Sequence, residues 1–323
     1  MPPKRRKSSD PADPPEPKKS ATRSSARIKA SAQDDPNPAL EPAAPKSKKK
    51  AKTSKPKSTK ESTAPKTKTP KHKSLSESSH GPAILTITHD SVKNPITCHQ
   101  YTPPTTPTAS TPTLIFTHGA GGTLSADAVV NFCNGYAKTS PVLAFQGSMN
   151  LAARVKSFHA CLSHLESDNA EKGAREERGK EIVGVVLGGR SMGSRAAVMA
   201  ATDLLSCSSP SSTSPPNISL VLVSYPLKGP KDIRDQILLD LPSSVRVLFI
   251  VGDRDGMCPL DLLDGIRKRM KAASRLVVVK GADHGMHVKP AAREREYGEE
   301  TGVLGARWVD GKLGDDVVEM GGV

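Results

Sequence analysis

Aromatic residues are scarce in this 323-residue chain: Phe, Trp and Tyr together make up 3%, with a single Trp. The five cysteines (Cys98, Cys133, Cys161, Cys207, Cys258) lie far apart and form no Cys-x-x-Cys pair. An odd, dispersed set of this kind argues against a disulfide framework and for reduced thiols. The chain also lacks a run approaching the roughly 18–20 apolar residues that cross a bilayer. It begins Met-Pro-Pro-Lys-Arg-Arg-Lys, without the apolar core of a secretory leader. These absences lead to the expectation of a soluble intracellular protein with no membrane partner, in the nucleus, the cytoplasm or both. Two glycine motifs are missing as well. Gly188-x4-Gly193 is followed by Ser194-Arg195 rather than Lys-Ser/Thr, which excludes a P-loop, and no G-x-G-x-x-G follows a strand-like run. No cofactor and no metal are expected.

What is abundant is unevenly placed. Residues 1–80 carry 21 Lys and Arg against 8 Asp and Glu, while the remainder carries 26 against 25, so +13 of the net charge of +14 belongs to the first segment. That segment is Lys, Pro, Ser, Thr and Ala, with one Ile, two Leu, one Met and no aromatic residue. It has too little apolar surface to offset its ordering entropy and is expected to be a disordered basic tail. Pro-Lys-Arg-Arg-Lys (3–7) and the Lys clusters from 48 to 73 suit nuclear import or electrostatic contact with nucleic acid or an acidic partner. Without aromatics to stack on bases or zinc-ligand spacing, sequence-specific nucleic-acid recognition is not expected. Oligomeric state is not legible.

From about Gly81, eight apolar runs alternate with helix-length segments. The runs are Ala83–Thr88, Ile96–Tyr101, Thr113–Thr117, Pro141–Phe145, Ile182–Gly188, Ile218–Ser224, Val245–Val251 and Arg275–Lys280. The later ones are almost continuously apolar, as strands covered on both faces must be. The intervening segments predict helices over Leu124–Ala137, Ser148–Leu165, Met192–Leu205, Asp232–Leu241 and Leu260–Ala273. Strand–helix alternation predicts an α/β domain over 81–323 with a mostly parallel, eight-stranded sheet and helices on both faces. The first two runs, joined through Asp90 and Asn94–Pro95, suit an antiparallel edge. Glu166–Lys180 and Ser206–Pro216 are expected to be surface loops, and the Gly-rich last helix near Ala291–Trp308 is expected to be irregular.

The fifth run leads into Gly-Arg-Ser-Met-Gly (189–193) and then a small-residue helix. A G-x-S-x-G pentapeptide alone is weak, but strand, turn and helix together are the context of a nucleophile elbow with Ser191 at its tip. A serine hydroxyl needs a base to take its proton and an acid to orient that base. Later strands run into Gly-Asp-Arg-Asp (252–255) and Gly-Ala-Asp-His (281–284), both at the strand ends where open α/β sheets place their sites. Asp255 is assigned as the acid, with Asp253 as its rival and backbone capping as the alternative role of that rival. His284 is assigned as the base in preference to His287, and Asp283 reads as a turn residue. Met192 N–H, at a helix N-terminus, and the N–H of Ala120 or Gly121, in Thr-His-Gly-Ala-Gly-Gly (117–122), are the expected oxyanion donors. His118 reads as a brace of that loop. Asp253-x-Asp255 also fits aspartyl phosphatases of the haloacid-dehalogenase type, but Met257 stands where their Thr or Val belongs and too little chain follows.

These motifs, with Gly-Ser-Met-Asn-Leu-Ala-Ala-Arg-Val-Lys-Ser-Phe (147–158) and Ser-Tyr-Pro-Leu (224–227), resemble the α/β-hydrolase superfamily over roughly 83–310. More narrowly, they resemble the hydrolase-like family named for a testis-expressed protein and for a subunit of the non-specific-lethal chromatin complex; dienelactone-hydrolase-like enzymes share less of the middle stretches. The resemblance implies the fold and carries Ser191, Asp255 and His284 over as a triad, without a substrate. Some members of the narrower family serve as complex subunits, which leaves two expectations. One is a serine hydrolase of small esters or thioesters, without a lid because the 64 residues from Ser191 to Asp255 are already used by two helices and two strands. The other is a hydrolase-like subunit of a nuclear complex.

Overall fold

The computed structural model describes residues 81–106, 111–171, 184–207 and 217–322. The expectations placed on residues 1–80, and on most of the two surface loops, fall outside these. Among the described residues, nine strands form one sheet in the order β1-β2-β4-β3-β5-β6-β7-β8-β9. They are β1 (Ala83–Ile87), β2 (Ile96–Tyr101), β3 (Leu114–Thr117), β4 (Val142–Phe145), β5 (Val185–Arg190), β6 (Ile218–Val223), β7 (Val245–Gly252), β8 (Ala273–Val279) and β9 (Val317–Met320). The pairs β1–β2 and β2–β4 are antiparallel, which bears out the expected edge, and every other pair is parallel.

The central strands show why parallel sheets read as unbroken apolar runs. In β6, Leu220 and Leu222 join the core on one face, while Val221 and Val223 join the core on the other. In β7, Val247, Phe249 and Val251 alternate in the same way with Leu248 and Ile250. Helices α2 (Leu151–Glu171), α3 (Met192–Cys207), α4 (Gln236–Leu239) and α5 (Leu260–Arg267) cover the first face. The second is covered by α1 (Asp127–Tyr136) and α6 (Glu294–Val309). No helix of the described residues is long and apolar enough to cross a membrane.

The expected eight strands become nine. β9 is Val-Val-Glu-Met on the sheet edge, half exposed and too short to stand out; its partner β8 organises it, with Leu276 opposite Val317 and Val279 opposite Met320. The expected loop beginning at Glu166 is also corrected, because α2 continues to Glu171. Glu166 is exposed there, and Asp168 lies one turn from His164 at 3.7 Å. Conversely, α4 and α5 are shorter than expected, and Ala273 opens β8 instead of closing α5.

The glycines of α6 had suggested irregularity, yet the helix is continuous over 16 residues. They are its contact face. α1 and α6 pack so closely that a Cβ on Gly135 would stand 1.8 Å from the Glu299 carbonyl oxygen, and one on Gly302 would stand 2.1 Å from that of Phe132. Helix propensity is given up, roughly 1 kcal/mol per glycine, and close backbone packing is gained.

Gly135→Ala is therefore expected to lower the unfolding free energy by roughly 1–3 kcal/mol, the usual cost of overpacking. Gly265→Ala, in α5, meets nothing within 4 Å and should be neutral or stabilising. Thermal or urea unfolding of the two variants against the parent checks both.

Candidate active site

The site begins where β5 hands over to α3. Ser191 has φ 53°, a left-handed conformation that a non-glycine residue adopts only under constraint. Its N–H donates to Val223 O at 2.9 Å, and its carbonyl accepts from Ser194 N–H at 3.0 Å, so sheet and helix hold the turn from both sides. The flanking glycines permit it sterically. A Cβ on Gly193 would lie 2.6 Å from Thr117 O, and one on Gly189 would lie 2.5 Å from the carbonyl carbon of Gly193. The expected elbow is present.

Three side chains from three strand ends meet here. Ser191 Oγ lies 2.9 Å from His284 Nε2. On the other side of the ring, His284 Nδ1 lies 2.9 and 3.0 Å from the two oxygens of Asp255. The Asp255 side chain is fully shielded from solvent. Its Oδ1 also accepts the N–H groups of Met257 and Cys258 at 2.8 and 3.2 Å, so the carboxylate is stabilised and aimed. With Nδ1–H donating to Asp255, Nε2 presents its lone pair to the Ser191 hydroxyl.

The rival residues have other partners. Asp253 Oδ1 accepts Gly281 N–H at 2.6 Å, a bond between neighbouring strand ends. Asp283 Oδ1 accepts from Gly285 and His287 N–H and closes its own turn. The exposed His287 pairs with Glu294 at 3.2 Å.

The loop after β3 lies against the elbow: a Cβ on Gly119 would be 3.3 Å from Ser191 Cβ. Met192 N–H belongs to the first turn of α3, where backbone donors lack intrahelical acceptors. Of the other two expected donors, Gly121 N–H is engaged by Met149 Sδ at 2.9 Å. Ala120 N–H has no such partner among the described residues and is the better placed of the pair.

Beneath this loop lies a network that sequence reasoning only partly anticipated. His118 Nδ1 is 2.7 Å from Gly119 O, and Gly147 N–H and Gln146 Nε2 approach His118 Nε2 at 3.0 and 2.7 Å. Two donors at Nε2 require the neutral ring with its proton on Nδ1. His118 thus braces the loop, as expected. Arg154 of α2 is fully buried and makes no ion pair among the described residues. Its guanidinium donates to the carbonyl oxygens of His118, Gly147 and Ser148, and burial draws its pKa down to about 10. Arg154 had no signal of its own, because an arginine on an amphipathic helix reads as a surface residue.

Strand ends of an α/β sheet holding a buried carboxylate, an imidazole and a strained serine define the α/β-hydrolase class. The family model described as "Alpha/beta hydrolase domain" matches residues 110–300, more than half of the sequence, and the chain belongs to that family. Solved structures share the fold at low identity. A serine hydrolase homologue from Coxiella burnetii has 17% identity and a TM-score of 0.51, over 69% of this chain and 96% of that one. Est1E from Butyrivibrio proteoclasticus has 14% identity and a TM-score of 0.50, over 70% and 99%. An esterase from Pyrobaculum calidifontis has 15% identity and a TM-score of 0.51, over 72% and 86%.

Burial, the larger influence, and the Arg154 charge hold the His118 pKa below its ordinary 6.5, against the opposing bond to Gly119 O. The unfolded chain therefore takes up this proton at higher pH than the folded one. Stability should fall as pH drops below about 6.5 and stop falling on this account below the folded pKa. In His118→Asn that part of the acid-side slope should vanish, as read by urea unfolding across the range.

Proposed function

We propose that the chain is a serine hydrolase of small esters or thioesters. The observation that carries this reading is the hydrogen-bonded line from Ser191 Oγ through His284 to Asp255, 2.9 Å at each of its two shortest links. His284 Nε2 takes the Ser191 proton as Oγ attacks the acyl carbon. The tetrahedral oxyanion is held by Met192 N–H and Ala120 N–H. Collapse expels the alcohol or thiol, which takes its proton from His284 and leaves an acyl-Ser191 ester. Water, deprotonated by the same imidazole, then attacks and releases the acid. Asp255 keeps the ring in the correct tautomer and stabilises the imidazolium.

Small or solvent-exposed acyl groups suit the surroundings. Among the described residues between Ser191 and Asp255 there is only α3, β6, α4 and β7, and no lid domain. A depression of about 330 Å³, lined by Arg254, Asp283, His287 and Lys289, lies beside the His284 loop and does not include Ser191.

A fluorophosphonate probe should label the parent protein and fail to label Ser191→Ala. Asp255→Asn should lower kcat about 10⁴-fold through the wrong imidazole tautomer, while its thermal midpoint shows that it is folded. Absence of labelling that depends on Ser191 would overturn the reading.

The basic tail is proposed to serve import or electrostatic contact, on the strength of its 21 Lys and Arg against 8 Asp and Glu. It is not part of the chemistry. Protein lacking residues 1–80 should be labelled at the parent rate yet lose nuclear accumulation in imaging. Resemblance to the family named for a chromatin-complex subunit supports the same location.

A further inference from the structure

Arg190, between Gly189 and the proposed nucleophile, has no part in the reaction above. Its Nη2 donates to the carbonyl oxygen of His284 at 2.6 Å, which ties the base-bearing loop to the elbow. Its Nε is buried without an acceptor. Its Nη1 makes no hydrogen bond among the described residues and stands beside the loop after β3. A Cβ built on Gly119 would lie 3.1 Å from Nη1 and 3.3 Å from Ser191 Cβ. Together the two distances, 3.1 and 3.3 Å, place Nη1 no more than 6.4 Å from the Cβ of the proposed nucleophile.

The charge is also poorly neutralised. Burial pulls the Arg190 pKa down, outweighing the fields of Asp255 and Asp283, although an arginine remains cationic regardless. Neither carboxylate bonds to it. Asp255 is committed to His284, Met257 and Cys258, and Asp283 Oδ1 accepts from its own turn. With Nη2 committed and Nε buried, the remaining arm can donate a charge-assisted hydrogen bond to an anion, and a terminal carboxylate is the anion that a short acyl chain can carry.

We propose that Arg190 Nη1 binds a carboxylate at the far end of the acyl chain, so that the preferred substrates are esters or thioesters of short dicarboxylic acids. This rests on the reading of Ser191 as nucleophile and adds a substrate class to it. Arg190 is then a specificity residue through Nη1 and a positioning residue through Nη2.

The test uses full-length protein and two esters of equal chain length, monomethyl glutarate and methyl valerate, which differ only in the terminal group. Methanol release gives kcat/KM for each. The parent should favour the glutarate ester by about tenfold or more, the discrimination of one charge-assisted hydrogen bond. Arg190→Met should bring the ratio close to one. Arg190→Gln, which keeps an N–H for His284 O without the charge, should do the same, and Arg190→Lys should retain part of the preference. Because Arg190 also holds the His284 loop, both rates will fall in every variant, and the ratio cancels that common loss. A parent without preference, or a preference that survives in the Met and Gln variants, overturns the proposal; labelling of Ser191 by the fluorophosphonate then shows that the serine reading stands. If neither ester is hydrolysed and Ser191 is not labelled, the serine reading fails and this proposal falls with it.

Discussion

Everything at this site depends on the close approach of β5, α3 and the loop after β3 around Ser191. The serine sits at φ 53°, a conformation that costs roughly 1–3 kcal/mol at such positions. It persists because the surroundings allow no alternative. Its N–H is bound to β6, its carbonyl caps the first turn of α3, and positions 189 and 193 have no Cβ to push strand, helix and loop apart. Larger residues at those glycines would spread the three elements. The oxygen of Ser191 would then move away from His284 even if every side chain of the line were still present.

Two arginines, the fully buried Arg154 and the half-buried Arg190, support this arrangement. Arg154 holds the carbonyls of the loop after β3 and of the segment after β4, and Arg190 holds the carbonyl of His284. In both, a guanidinium has backbone oxygens as partners and makes no salt bridge among the described residues. Backbone dipoles stabilise the charge without neutralising it, so each leaves positive potential beside the loops that carry His118 and His284. His118 fits the same pattern, since burial first and the Arg154 charge second disfavour its protonation.

Much of the fold was legible because the physics of parallel sheets leaves local marks. Strands covered on both faces must be continuously apolar, as β6 and β7 are, and the helices between them must carry an apolar stripe. The site residues were legible for a related reason. Sheets of this kind gather their chemistry at strand ends, so Ser191, Asp255 and His284 each follow an apolar run. What failed was placed where local pattern and tertiary context diverge. β9 has only four residues and exists through its pairing with β8. The glycines of α6 look like helix breakers and instead let α1 approach. Glu166 and Asp168 look like the start of a loop and instead lie on the last turns of α2.

The amino-acid sequence by itself determined the alternation of strand and helix, the elbow pentapeptide and the order in which Ser191, Asp255 and His284 follow one another. These rest on short-range patterns of hydrophobicity and turn chemistry. Only the tertiary structure showed that Asp255 rather than Asp253, and His284 rather than His287, joins the hydrogen-bonded line to Ser191, and that Gly121 N–H is engaged by Met149. Each choice depends on which neighbour satisfies which polar atom, over sequence separations of 28 or 29 residues at Asp253, His284 and Gly121. The buried Arg154 and the half-buried Arg190 also belong to the tertiary structure. An arginine reads as a surface residue until the carbonyls that can receive it are brought together by the fold.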